Sequence, residues 1–293
     1  MYICNNEMEG VAAYMAISCA GPLFKRWGIV GRDMHKKDTP ELPEAMGIVA
    51  GIVLSIVLPK DSTFFLTLVG LWIGALDDLI DMRWRYKILL SAGSYILLMA
   101  EKNTSVNIFG YLIDLGVLYH LYMILWCIWC GNAINIYAGI NGIEVGQTLT
   151  IAIGLLFFSN ETYALASYIF VASALLIHNW YPASVFVGDS WCYLSGMFFV
   201  AVARHETEQL ALIMWPQILN TFLSLPELIG MWDCPRHRMP NYDPVSNRLY
   251  HSGKGTLMNI ILWLLGPMHE QRLCQLLLGL QLSGIVFALV TTL

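Results

Sequence analysis

The chain has 293 residues, 57% of them hydrophobic and 13% charged, with a mean hydropathy of +0.59 and a formal net charge of −5. A soluble domain carries about 25% charged residues, so these values exclude one and point to an all-α integral membrane protein. No nucleic-acid partner is expected, because in such a chain the placement of charges matters more than their sum.

With about 20 residues as the usual span and about 17 as the minimum, ten apolar runs occur in order. They cover 8–24, 44–58, 62–78, 86–100, 115–134, 144–159, 162–178, 190–203, 208–230 and 274–291. The first run comes after MYICNNEMEG, which lacks a basic n-region, so no cleavable signal peptide is expected. The whole of 1–293 reads as a single polytopic domain. Its longest polar stretch, 231–273, holds an apolar piece of its own, LMNIILWLLG. The seven cysteines are scattered, and Cys127 and Cys130 of CIWC sit in an apolar run beside Trp126 and Trp129, so they read as packing residues.

Charge in the loops gives an orientation. One set of alternate loops holds thirteen basic residues, from Lys25 and Arg26 through Lys36, Lys87 and Arg238 to Arg272; the other holds only Lys60, Lys102 and Arg204. The basic loops are expected to face the cytosol. Two glycosylation sequons, at Asn103 and Asn160, fall on the opposite side.

Four polar clusters interrupt the apolar pattern. DDLID carries Asp77, Asp78 and Asp81 at the end of the 62–78 run. An Asp at mid-span costs about 2.5–3.5 kcal/mol and each large apolar residue returns only about 0.3–0.6 kcal/mol, so the three belong at the cytosolic edge. At i, i+3 and i, i+4 spacing on a helix they would crowd one side and repel each other. A solvated helix end is one reading; a metal–phosphate site, with Arg83, Arg85 and Lys87 coming immediately after, is the other. GNAINIYAGINGIEVGQ holds Asn132, Asn135 and Asn141 with Gly139, Gly142 and Gly146. It reads either as a turn with capping asparagines or as a ligand site approached by backbone N–H groups. In HNWYPASVFVGDSW, Asp189 either caps the next helix or joins the same polar layer. In CPRHRMP, Arg236, His237 and Arg238 are either topogenic charges or forks for phosphate oxygens. Acids, carboxamides and arginines on one side of a membrane suit Mg²⁺-assisted phosphoryl transfer between a nucleotide and a lipid phosphate.

In this order the four motifs resemble those of the polyprenyl-phosphate N-acetylhexosamine-1-phosphate transferases. CPRHRMP, with LPEAMG, RWRYK and GPMHE, resembles their eukaryotic, endoplasmic-reticulum branch. The resemblance runs from about Asp33 to Glu270. It implies about ten transmembrane helices whose cytosolic loops form the active site, with 231–273 contributing to the sugar and diphosphate pocket. The implied activity moves GlcNAc-1-phosphate from UDP-GlcNAc to dolichyl phosphate, giving dolichyl-diphospho-GlcNAc and UMP at the first step of lipid-linked oligosaccharide synthesis for N-glycosylation. The lipid bilayer is its setting, a homodimer is suggested, and tunicamycin is the family's inhibitor.

The resemblance also implies roles. Asn135 and Asp189 would be the protein ligands of Mg²⁺, and Asn132 would be among the catalytic residues. Lys87 would contact phosphate, while Arg236, His237 and Arg238 would hold the diphosphate and read the N-acetyl sugar. Gly139 to Asn141, Phe186 and the backbone near Met34 would hold the uridine. Glu44 and Trp84 would shape the sugar pocket, and Asp77 and Asp78 would orient or deprotonate the lipid phosphate. Asp81 stands where that branch usually has Asn, and the chain is shorter than most of its members, mainly after Pro240.

Two other functions use parts of the same pattern. DDLID resembles the diphosphate motif of intramembrane prenyltransferases, which need a second Asp-rich motif that this chain lacks. A transporter should carry polar groups near mid-bilayer and often paired repeats, whereas here they gather at one face.

Overall fold

The structure, a computed structural model, describes residues 2–99, 103–231 and 238–292. Arg236 and His237 lie outside the described residues. Hydropathy dictates most of the architecture, because backbone in lipid must satisfy its own hydrogen bonds and helices do so within one segment.

Helix α1 (Tyr2–Arg26) leads to a hairpin of β1 (Val30–Arg32) and β2 (Glu41–Pro43). Helices α2 (Met46–Val57), α3 (Ser62–Ile80) and α4 (Trp84–Ser94) come next, the last continued by a 3₁₀ turn over Tyr95–Leu98. A second hairpin, β3 (Ser105–Ile108) with β4 (Tyr111–Asp114), precedes α5 (Leu118–Ile136), α6 (Ile143–Leu155), α7 (Thr162–Asn179) and α8 (Gly188–Val202). Then come α9 (Thr207–Ile213), α10 (Trp215–Leu228), a third hairpin of β5 (Asn241–Asp243) and β6 (Arg248–Tyr250), α11 (Leu257–Leu265) and α12 (Glu270–Thr292).

Each of the ten apolar runs is largely helical over its described residues, and among the described residues three helices (α3, α7 and α12) are long and apolar enough to cross a membrane. The structure refines three of the runs. The 208–230 run is two helices, broken at Met214, where Pro216 opens α10 and lacks the N–H that a continuous helix would need. The 86–100 run tightens into its 3₁₀ turn at Tyr95. The apolar piece of the polar stretch forms α11, whose N-terminus is capped by the Thr256 side chain accepting from Asn259 N–H.

Helix α8 is the centre of the bundle: every residue from Ser190 to Val202 is buried, as a helix apolar all round must be. It packs most densely on α3 and α5. Small residues bring the backbones together. A Cβ at Gly74 of α3 would run into the Asp189 carbonyl and Ser190 Cα, one at Gly70 would meet the Tyr193 carbonyl, and one at Gly196 would meet the Cys130 carbonyl of α5. Cys127 and Cys130 are fully buried free thiols in the α5 packing face, as expected.

This seam sets the positions of the site residues. Filling it with Gly74→Val should destabilise the bundle by about 1–3 kcal/mol through overpacking. Shifting Asp189 by about 1 Å should also cost about 100-fold in turnover. A thermal melt alongside a turnover assay separates the two effects.

The helices order the loops by end. The C-termini of α1, α3 and α5 and the N-termini of α4, α8 and α12 share one end with the first and third hairpins, His35 Nε2 lying 3.2 Å from the Pro240 carbonyl oxygen. The β3–β4 hairpin lies at the other end, with Phe109 N–H donating to Glu208 at the start of α9. Asn103, Asn160, Lys60 and Arg204 fall at that second end, and both sequon asparagines are exposed.

Candidate active site

Sequence spacing puts Asp77 and Asp78 in the last turn of α3, and the helix stops at Ile80. Asp81 is its C-cap, in the left-handed region at φ 50°. The three carboxylates therefore do not crowd one side, because the helix ends before the third and the first two reach different partners. Asp77 Oδ1 accepts from Met82 N–H at 2.8 Å, and its Oδ2 meets Lys87 Nζ at 2.5 Å. Asp78 instead accepts from the backbone N–H groups of Asp189 (2.7 Å) and Ser190 (3.0 Å).

That second contact changes the reading of Asp189. An Asp after Gly at a helix start commonly caps its own helix. Here the orphan N–H groups of α8 are satisfied from α3 by Asp78, which leaves the Asp189 side chain available. Gly188 makes the approach possible: its φ is +74°, and a Cβ there would collide with the Asp78 carboxylate.

Asp189 Oδ2 receives Asn135 Nδ2 at 2.8 Å and Lys87 Nζ at 3.1 Å. One ammonium thus bridges Asp77 and Asp189, all three side chains being largely buried. Asn135 is held from behind. The last carbonyls of α5 are capped by side chains of other helices: Gln147 donates to those of Ile134 and Tyr137, and Asn220 to that of Ile136. Gln147 in turn accepts from Gln217, which also donates to Gln281, a fully buried carboxamide ladder joining α6, α10 and α12.

Asn132 does not reach this group. Its side chain donates to the Ile128 carbonyl and accepts from Tyr193 O–H at 2.7 Å, tying α5 to α8. Trp84 is exposed, stacked near Arg85, on the small cavity that Arg83 to Tyr86 form outside the cluster.

The cluster opens onto a cavity of about 820 Å³. Asn135 and Asp189, Glu44 and Phe186, Met34, the turn from Gly139 to Asn141, and Arg238 to Pro240 all line it. Burial pushes the Glu44 carboxyl above its ordinary range. Arg238 Nη1 lies 3.7 Å from Glu227 Oε2.

The glycine-bearing turn differs most from its expected form. Three of its N–H groups are taken by side chains of the protein: Gly139 donates to Glu144 (3.1 Å), Asn141 to Glu270 (2.7 Å) and Gly142 to Asn179 (3.2 Å). The Asn141 side chain is also engaged, accepting from Lys36 Nζ and Ala183 N–H and donating to Asp33. Glu144, Glu270 and Lys36 shape this wall without a role assigned from sequence. The available signal was an acid at the start of an apolar helix, which needs a partner to be tolerated there. Burial disfavours the Lys36 charge, but Glu270 and Asp33 outweigh it and hold the ammonium above its ordinary pKa.

The donor set suits a hard divalent cation. Mg²⁺ uses one or two carboxylates, retains waters and shares substrate phosphate oxygens. Among the described residues no three His, Cys, Asp or Glu side chains form a ready cage. Asp189 and Asp77 supply hard carboxylate oxygens around a point already occupied by the Lys87 ammonium, a donor chemistry that suits the ion, while Asn135 turns its Nδ2 towards Asp189.

Polar helix ends thus converge at one end of an apolar, membrane-type helical bundle. A family profile described as Glycosyl transferase family 4 matches residues 62–205. The chain is 31% identical to a UDP-N-acetylglucosamine–dolichyl-phosphate N-acetylglucosaminephosphotransferase of Dictyostelium discoideum, over 93% of this chain and 83% of the relative. It is 30% identical to the protein of the same description from Schizosaccharomyces pombe, over 95% and 88%. A phospho-N-acetylmuramoyl-pentapeptide-transferase of Thermotoga neapolitana is 28% identical over 67% and 70%. The chain belongs to glycosyl transferase family 4.

Proposed function

We propose that the protein transfers GlcNAc-1-phosphate from UDP-GlcNAc to dolichyl phosphate, as the names of its eukaryotic relatives describe for those proteins. The observation that carries the reading is the union of Asp77, Asp189, Asn135 and Lys87 at one end of the bundle, opening onto a cavity of nucleotide-sugar size. In this reading the bundle crosses the bilayer about ten times in the endoplasmic reticulum. The site faces the cytosol and the two sequons face the lumen, in keeping with the partition of basic residues.

An oxygen of the lipid phosphate attacks the β-phosphorus of UDP-GlcNAc, the bridging P–O bond to the α-phosphate breaks, and UMP leaves. The nucleophile is already an anion, so no general base is required. Asp78 in particular is committed to the α8 backbone and positions Asp189 rather than taking a proton. Lys87 and Arg238 bring positive charge to the diphosphate, where charge stabilisation is the main catalytic device. Mg²⁺, held by Asp189 and Asn135, would supply Lewis-acid polarisation of phosphate oxygens. Glu44 and Phe186 line the cavity beside the proposed nucleotide wall.

Purified protein given dolichyl phosphate and UDP-GlcNAc should release UMP with Mg²⁺ and not with EDTA, and UDP-Glc should be a much poorer donor. Equal turnover of both donors, or UMP release without dolichyl phosphate, would overturn the assignment.

A further inference from the structure

Bordering the cavity lies a second polar cluster, which the transfer chemistry does not use. Glu270, at the start of α12, accepts from Asn141 N–H through Oε1 and receives Lys36 Nζ on Oε2 at 2.5 Å. The same ammonium reaches Asp33 at 3.0 Å and the Asn141 carboxamide oxygen at 3.1 Å, and it lies 4.4 Å from the centre of the Tyr181 ring. His35 stands between Glu270 (3.8 Å from Nδ1) and the Pro240 carbonyl (3.2 Å from Nε2). Glu270, Asp33 and His35 are buried and Lys36 is nearly so.

Four segments distant in sequence meet here: the β1–β2 loop, the α5–α6 turn, the 238–240 segment leading into β5 and the first turn of α12. Asp33, His35 and Asn141 line the cavity, whereas Lys36 and Glu270 do not. Any effect of those two on a ligand therefore passes through the segments they hold. A buried ion pair is a weak source of stability, since its desolvation offsets its attraction. What it supplies is direction: Lys36 has an acceptor for each of its three protons, and Glu270 fixes the N–H of a turn that lies within the cavity wall.

We propose that Lys36 and Glu270 are positioning residues for nucleotide-sugar binding, a clasp that fixes the 139–141 turn and the 238–240 segment around the donor and leaves the lipid-phosphate end untouched. The proposal rests on the transferase reading above.

The test uses full-length protein in detergent or nanodiscs, with KM measured separately for UDP-GlcNAc and dolichyl phosphate, and a melt for each variant. Glu270→Gln and Lys36→Met should each raise KM for UDP-GlcNAc by about tenfold or more, with kcat within about threefold and KM for dolichyl phosphate within about twofold of wild type. Lys36→Arg should recover most of the loss. The double variant should be no worse than the poorer single variant, because the two side chains act as one unit. Lys37→Ala, which removes the neighbouring exposed charge, should behave as wild type. Unchanged KM for UDP-GlcNAc in the single variants, or equal rises for both substrates, overturns the clasp. So does the failure of both single variants to fold, which would make the cluster a stability element. Wild-type protein that releases no UMP would instead overturn the transferase reading itself, so the two failures are distinguishable.

Discussion

Replacing Asp189 with Asn should lower transfer by about 10²–10³-fold while leaving the bundle intact. The expectation of an intact fold is specific to this structure. Asp189 does not cap its own helix; Asp78 satisfies the α8 N–H groups, and an Asn at 189 can still accept from Asn135. Only the negative charge that faces Lys87 and the cavity is removed. Turnover should recover partly at high Mg²⁺ if the loss is one of cation affinity, so a Mg²⁺ titration beside a thermal melt reads both parts. Near-normal turnover at ordinary Mg²⁺ would remove Asp189 from the metal site. Asp78→Asn gives the contrasting result: it weakens the cap of α8 by about 1 kcal/mol, and it lowers turnover only through the position of Asp189.

Lys87→Met should have the second large effect, on two observables of which only stability should respond to Mg²⁺. The ammonium bridges Asp77 and Asp189 at 2.5 and 3.1 Å. Without it two facing carboxylates lose their shared cation, a change that costs about 3–5 kcal/mol for a fully buried pair and less here, where the side chains keep some exposure. In EDTA the variant should melt several degrees below wild type. Added Mg²⁺ should then stabilise the variant more than the wild type, because the ion no longer competes with a resident charge for the same oxygens and binding to the folded state raises its stability. Turnover should nonetheless stay low, since in the proposed mechanism Lys87 also brings positive charge to the diphosphate. Equal Mg²⁺ stabilisation of both proteins would show that the ammonium and the cation occupy separate places.

The helices were legible because a long apolar stretch in lipid has few options other than a helix. DDLID could be placed at a helix end from insertion cost alone, and Asp189 and Asn135 could be assigned to the same layer from the alternation of basic loops. The structure joins the two directly, Asn135 Nδ2 donating to Asp189 Oδ2. Harder to read was how each polar group is employed. Asp78 and Asp189 look alike in sequence, yet one holds backbone N–H groups and the other faces a cavity. The difference lies in the close approach of α3 and α8 through Gly74 and Gly188, which no local pattern encodes. The glycine turn misled for a related reason. Its open N–H groups are taken by Glu144, Glu270 and Asn179, acceptors contributed by three separate helices. Lys36 and Glu270, 234 positions apart, each read as an ordinary charge beside a membrane span until the fold joins them.

The carboxamide ladder of Gln147, Gln217 and Gln281 also bears on the order in which the protein is made. The helix Glu270–Thr292 leaves the ribosome after the other described helices, and it brings both Gln281, which completes the ladder behind the α5 carbonyls, and Glu270, which holds the Asn141 N–H. Until then the wall that supports Asn135 contains a buried glutamine with one acceptor missing, and the turn beside it has a loose N–H. A nascent chain can thus insert most of its spans without yet possessing a finished pocket. Premature termination before residue 270 would leave an inserted but inactive product, rather than a partial enzyme working on the membrane's lipid pool.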